Sequence, residues 1–192
     1  METNNGIPAF YASTQAEWRN WLEKNSQYEK SVCLIIYHKK STTPSVYYTE
    51  AIEEALCFGW IDGKANKRDE QSSYLFFKQR SSKSNWSKIN RDRVAVLIQK
   101  GLMTEAGQKF IDLAKSSGTW ELLADVQNNI IPDDLQKLFD QNEIAFNNFQ
   151  SFSPSSKRII LEWIVKAKKA ETREKRMVQT VELAARNIKA NH

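Results

Sequence analysis

Val32-Cys33-Leu34-Ile35-Ile36-Tyr37 is the stretch that decides the fold class. It is short, continuous, apolar and rich in β-branched residues, which fits a strand covered on both faces, because a half-exposed strand would alternate with polar residues. Upstream, Thr14-Gln15-Ala16-Glu17 reads as a capping box, in which hydroxyl and carboxylate satisfy backbone donors reciprocally. Trp18, Trp21 and Leu22 follow at helical spacing, so that helix has one buried face. Downstream, Lys39 to Pro44 turns the chain. A second helix is predicted over Tyr48 to Phe58, with Ala51, Ile52, Ala55 and Leu56 inward and Gly59 ending it in the left-handed conformation. Trp60-Ile61-Asp62-Gly63 and Tyr74-Leu75-Phe76-Phe77-Lys78 read as two further strands around a polar loop at 65–73. Only Met1 to Gly6 read as loose.

From Ser87 the periodicity is helical. Helices are expected at Lys88 to Lys100 stopped by Gly101, Glu105 to Ser116 capped by Thr104 and stopped by Gly118, Pro132 to Asp140, and Glu143 to Gln150. Ser153-Pro154 opens the last part as N-cap and first helical residue. There Ile160, Trp163, Ile164 and Ala167 keep one face, as do Met177, Val181, Ala184 and Ile188. A break is expected near Ala170-Glu171-Thr172, with one unbroken helix as the alternative. The expected fold is therefore α+β and helix-dominated: a small N-terminal sheet packed by helices, then an α-helical C-terminal half. Residues 1–86 and 87–192 are its two parts, expected to form one compact unit.

The chain has 192 residues, 41% of them hydrophobic, with six Trp, nine Phe and six Tyr, which favours a packed globule over a disordered chain. No run approaches the roughly 20 apolar residues of a spanning helix, and the first residues lack the basic start and apolar stretch of a secretory signal. The expected address is cytoplasmic, with Cys33 and Cys57 as reduced, buried thiols. The net charge of +5 is unevenly placed. Phe58 to Arg91 holds eight Lys/Arg against three acids, and Lys157 to Arg176 holds eight Lys/Arg against three Glu. Two positive zones on a mildly acidic body point to specific anion contact.

Familiar catalytic signatures find little support. Gly59-Trp60-Ile61-Asp62-Gly63-Lys64 is one residue short of a phosphate loop, and Ala65 stands where a magnesium-binding hydroxyl belongs. With two His and no paired cysteines at ligand spacing, no metal site and no cofactor are expected. A Cys57/His38 nucleophile pair is conceivable, but a buried free cysteine is usually a small hydrophobe.

The candidate site lies in the first basic zone. With Ser87 as N-cap, and Ser84 or Asn85 as rivals, Lys88 and Arg91 fall in the first helical turn, where the dipole disfavours cations by about 0.3–1 kcal/mol each. Arg80 and Lys83 arrive from just upstream. Such crowding suits a bound anion held by backbone N–H groups and flanked by Arg80, Lys83, Lys88 and Arg91, with Lys64 a further candidate ligand-binding residue. Trp60, Tyr74, Phe77 and Trp86 would offer a flat wall, while Asp62 and Asn90 would read donors and acceptors. The plainer reading is a solvated basic surface over core aromatics, with Asp62 making a turn before Gly63. In the second zone, Lys166, Lys169, Arg173 and Arg176 share one face of an unbroken helix, as a nucleic-acid backbone contact would need.

Several strings resemble the YdeI/OmpD-associated family, also called bacteriocin-protection proteins, and the resemblance covers most of the chain from Trp18-Arg19-Asn20-Trp21-Leu22 onward. Its specific parts are Glu54-Ala55-Leu56-Cys57-Phe58-Gly59-Trp60-Ile61-Asp62-Gly63, Ser84-Asn85-Trp86-Ser87-Lys88-Ile89-Asn90-Arg91, Ser153-Pro154-Ser155-Ser156-Lys157-Arg158 and Ala170-Glu171-Thr172-Arg173. The resemblance implies a role in resistance to cationic antimicrobial peptides and association with an outer-membrane porin, and it implies no catalytic residue. Family members are described as periplasmic, whereas this chain shows no export signal, and its positive charge argues against simple sequestration of cationic peptides. Three functions follow as expectations. The first is a non-catalytic stress or resistance protein binding a small anionic or aromatic ligand. The second is a nucleic-acid module using both basic zones. The third is an enzyme built on Asp62, Lys64, Lys88 and Arg91, acting on a phosphorylated or acyl substrate.

Overall fold

The computed structural model describes residues 2–82 and 84–191. In chain order the elements are β1 (Thr3–Asn4), β2 (Ile7–Tyr11), α1 (Gln15–Asn25), β3 (Ser31–Tyr37), α2 (Tyr48–Cys57), β4 (Trp60–Lys67), β5 (Ser72–Gln79), α3 (Lys88–Gln99), α4 (Glu105–Ser116), α5 (Ala124–Gln127), α6 (Asp133–Phe139), α7 (Glu143–Ser151), α8 (Pro154–Val165) and α9 (Ala170–Ala185). The fold is α+β, with the sheet in the N-terminal half and, among the described residues, only helices after β5.

The chain divides into two compact units. One takes the residues up to Ser84 together with Ile89–Ser117, and the other takes Asn85–Lys88 and the residues from Gly118 onward. The boundary thus runs through the first turn of α3, leaving Lys88 with the second unit.

In the first unit, five strands form one sheet in the order β1-β2-β3-β5-β4. Strand β3 lies at its centre, parallel to β2 and antiparallel to β5, with Val32, Cys33, Leu34 and Ile35 all buried, as an unbroken apolar run demands. The N-terminal residues differ from the loose segment expected. Thr3–Asn4 and Ile7 to Pro8 pair antiparallel across a two-residue loop in which Asn5 has φ 51° and Gly6 φ 78°. Both central residues at positive φ match the strand twist, and Asn-Gly is the dipeptide that adopts this most readily. The expected loop at 65–73 also contracts, because β4 and β5 extend to Lys67 and Ser72.

Helix α1 starts at Thr14, whose hydroxyl accepts from the Glu17 N–H, while the Glu17 carboxylate accepts from Ser13 N–H at 2.7 Å. Its face carries Trp18 and Leu22 into the core. Trp18 stacks on Trp21 at 5.2 Å, meets Phe77 at 5.3 Å, and donates through Nε1 to the Ala51 carbonyl at 3.0 Å. That bond resolves the polar cost of sealing an indole in the interior. Helix α2 buries Ala51, Ile52, Ala55 and Leu56 as expected, and also Glu54 and Cys57. It ends at Gly59, φ 75°, where an added Cβ would lie 2.3 Å from Phe110.

The second unit is a helical assembly around Leu135, Phe139, Phe149, Ile160, Leu161, Ile164 and Ala184, with Phe139 and Phe149 rings 4.9 Å apart. Ser153 caps α8, accepting from the Ser156 N–H, with proline at the first position. Helices α8 and α9 are separate, so the chain breaks over 166–169 and the unbroken-helix alternative falls. Ile188 lies past the end of α9 and is 48% exposed, so it leaves the face expected for it. No helix among the described residues is long and apolar enough to cross a membrane.

Candidate functional site

Within the first unit, β4, the start of α2 and the residue after β5 meet around Asp62, with α3 close to the start of α2. Asp62 pairs with Phe77 across β4 and β5, so it points to the sheet face that carries the α1 aromatics. The first residue of α2, Tyr48, donates its hydroxyl to Asp62 Oδ2 at 3.1 Å. Burial raises the Tyr48 phenol above its ordinary value, the Asp62 charge adds to this, and Arg93 of α3 works against it. Arg80, one residue past β5, is held by its N–H to the Gly59 carbonyl at 2.9 Å. Only 3% of it is exposed. Burial pushes its guanidinium down to about 10, opposed by the negative charge of Asp62, and it remains a cation at neutral pH. Asn90 accepts from Arg93 Nη1 at 3.3 Å, one turn along α3.

A groove of ≈ 340 Å³ starts at Arg93 and runs between α2 and α3, lined by Glu53, Ile89, Asp92, Val96 and Leu97. Ile89 is 64% exposed and Val96 47%, both well above the usual exposure of such side chains.

The residues singled out from sequence are only partly brought together. Asp62, Arg80 and Asn90 share the region just described, and Arg91 is half-buried on the same helix. Lys64 is exposed in the bulge between Asp62 and Ala65. Tyr74 stands six residues before Arg80, about 20 Å along an extended strand. There it donates to Glu2, which Arg68 holds at 2.6 Å. Trp60 is fully buried, meets Trp21 edge-on at 5.9 Å, and donates to the Ser26 carbonyl. Trp86, Ser87 and Lys88 belong to the second unit, where Trp86 is 1% exposed against Trp120 at 5.0 Å. The two indoles expected as a ligand wall are therefore core residues. Of the rival caps for α3, the Ser84 hydroxyl is engaged by the Ser81 N–H at 3.1 Å, and α3 begins directly after Ser87. Lys83, expected just upstream, lies outside the described residues.

Other expectations settle on local chemistry. Gly59 to Lys64 runs from a helix end into an edge strand, which is not the strand-loop-helix order of a phosphate loop. Both cysteines are free and buried, and burial pushes the Cys57 thiol up to about 11, away from the thiolate a nucleophile needs. His38 contacts Ser73 instead. No cluster of three potential metal ligands occurs among the described residues. The C-terminal basic stripe is interrupted by the break before α9. Arg173 is forked onto Asp134 at 2.7 and 2.9 Å, Lys166 pairs with Glu162, and Arg176 lies 4.9 Å over the Trp163 ring.

Sequence reasoning missed Tyr48 and Arg93, and it missed a buried ion pair beneath them. Glu54, 4% exposed, takes Arg19 Nη1 and Gln15 Nε2, each at 2.7 Å, while Arg19 also reaches the Leu102 carbonyl and lies over Phe58. Glu54 falls on the buried side of α2, and a carboxylate there requires a cation; that mismatch was the available signal.

A family model described as a domain of unknown function (DUF8412) matches residues 10–110. A second, described as bacteriocin-protection, YdeI or OmpD-associated, matches residues 128–187. The strings at Glu54–Gly63 and Ser84–Arg91 thus fall under the first model, and those at Ser153–Arg158 and Ala170–Arg173 under the second. No curated protein and no solved structure matches the chain.

Proposed function

The chain belongs to the domain-of-unknown-function family whose model covers residues 10–110, and its residues 128–187 match the bacteriocin-protection, YdeI or OmpD-associated model; from that premise we propose that it is a non-catalytic resistance protein whose first unit binds a small organic anion. The observation that carries this reading is the Tyr48 hydroxyl donating to Asp62 beside two cations, Arg80, whose buried guanidinium feels the Asp62 charge, and Arg93, whose charge acts on the Tyr48 phenol. Guanidinium groups and a phenol gathered in a partly desolvated place can give an anion charge-assisted hydrogen bonds where these are strongest. The adjoining groove at Ile89, Val96 and Leu97 accommodates the apolar body of such an anion. Tyr48, 51% exposed, is the aromatic surface available to it, in place of the buried tryptophans.

The test is a titration of the ¹⁵N-labelled chain with inorganic phosphate, AMP, benzoate and octanoate. Saturable shifts are expected at Tyr48, Asp62, Asn90 and the arginine Nε–H groups, largest for the anions with an apolar body. Arg93→Ala is expected to weaken binding about ten- to hundredfold, as loss of one charge-assisted bond implies. Absence of shifts with all four probes, or affinity unchanged in Arg93→Ala, refutes the reading.

A further inference from the structure

The second unit holds a cavity of ≈ 400 Å³ that the reading above does not use. Leu122, Val126, Ile130 and Val165 give it apolar walls, while Glu121, Asp125 and Arg173 are its charged lining. This volume lies within the range of small-molecule sites, and opposite charges beside an apolar wall are a chemical description of a ligand. The Arg173 guanidinium commits Nε and Nη2 to Asp134 in a bidentate fork, which fixes its plane and leaves Nη1 for a further acceptor. The short helix α5 supplies an acceptor to the cavity wall, the Asp125 carboxylate. With the Asp125 and Glu121 carboxylates in the lining, this end of the cavity favours a donor-rich cation such as an ammonium.

From this arrangement we infer that the cavity binds a zwitterionic α-amino acid with an apolar side chain. Its carboxylate meets Arg173, its ammonium the Asp125 end, and its side chain the Leu122–Val165 wall. The site lies wholly in the second unit and stands independently of the anion cluster.

The probe is L-leucine, titrated calorimetrically and by NMR against the full chain, with N-acetyl-L-leucine and L-leucine methyl ester as comparators that each lack one charge. Leucine is expected to shift Val126, Ile130, Val165 and the Arg173 Nε–H. Each comparator, and Asp125→Asn with leucine itself, is expected to bind at least about tenfold more weakly. Leu122→Trp, which fills the cavity from a partly exposed position, is expected to abolish binding while the spectrum of the unit stays folded. No leucine binding at roughly 10 mM overturns the inference. So does equal binding of leucine and either comparator, or unchanged affinity in Asp125→Asn.

Discussion

Gly107→Ala is expected to destabilise the first unit even though alanine is the better helix former. Gly107 sits in the first turn of α4, where an added Cβ would lie 2.2 Å from the Cys57 carbonyl oxygen, 2.8 Å from its carbon and 2.5 Å from Met103 Sδ. The methionine sulfur can swing away, but the Cys57 carbonyl belongs to the last turn of α2 and accepts from both Thr104 Oγ1 at 2.6 Å and Thr104 N–H at 3.2 Å. Ordinary van der Waals separation requires the two helices to part by about 1 Å, which breaks those bonds. Overpacking costs about 1–3 kcal/mol. The two hydrogen bonds add about 0.5–1.5 kcal/mol each. Helix propensity returns at most about 1 kcal/mol. The balance is a loss of about 1–5 kcal/mol, or some 2–20 °C for a chain of this size. Because two units need not unfold together, the assay is urea denaturation read by hydrogen exchange at α2 and α4 amides. Adding Met103→Ala is expected to recover little, since the backbone carbonyl is the obstacle. Gly101→Ala, with nothing within 4 Å of its Cβ and only a φ of 69° to strain, is expected to cost about 1–2 kcal/mol. A Gly107→Ala chain as stable as the parent, or more so, refutes the reasoning.

Arg19→Ala leaves the Glu54 carboxylate buried with only Gln15, and is expected to cost about 2–3 kcal/mol, less than a fully buried pair because Arg19 is partly exposed; adding Glu54→Gln should restore much of that in a double-mutant cycle. In the second unit, hydrogen bonds from Arg173 hold Asp134 below its ordinary 3.8. The stability it contributes is therefore complete above that value and lost as pH falls through the lower folded value, so thermal melts of Arg173→Gln should show a flatter acid limb below about pH 4 than the parent.

Much of the fold could be read because local and tertiary preferences agree. Thr104, Gly101, Ser153 and Pro154 mark helix ends by backbone chemistry alone, and the boundaries fall where those residues put them. Val32 to Tyr37 announces the central strand because a strand buried on both faces tolerates no polar residue. The N-terminal hairpin was hidden by attention to composition: Asn5-Gly6 carried the turn signal, but the flanking strands are too short to show alternation. The site was less legible. Trp60 and Trp86 look identical in sequence whether they line a pocket or fill a core, since only the packing of α1 and of Trp120 decides between them. Tyr48 and Arg93 escaped because Tyr48 is joined to Asp62, and Arg93 acts on Tyr48, by tertiary approach, with no spacing in the chain to reveal it.

The bulge at Gly63 and Lys64 has a consequence for life in a crowded solution. Strand β4 forms one border of the sheet, and the opposite border is β1, only two residues long. An even border strand would be a template onto which another chain could add its own strand, the first step toward fibrils. Here the ladder is dislocated at mid-strand, and Lys64 and Lys67 stand exposed along it. A newcomer would meet mismatched backbone partners and two ammonium groups, so the irregularity keeps neighbouring copies of the chain apart.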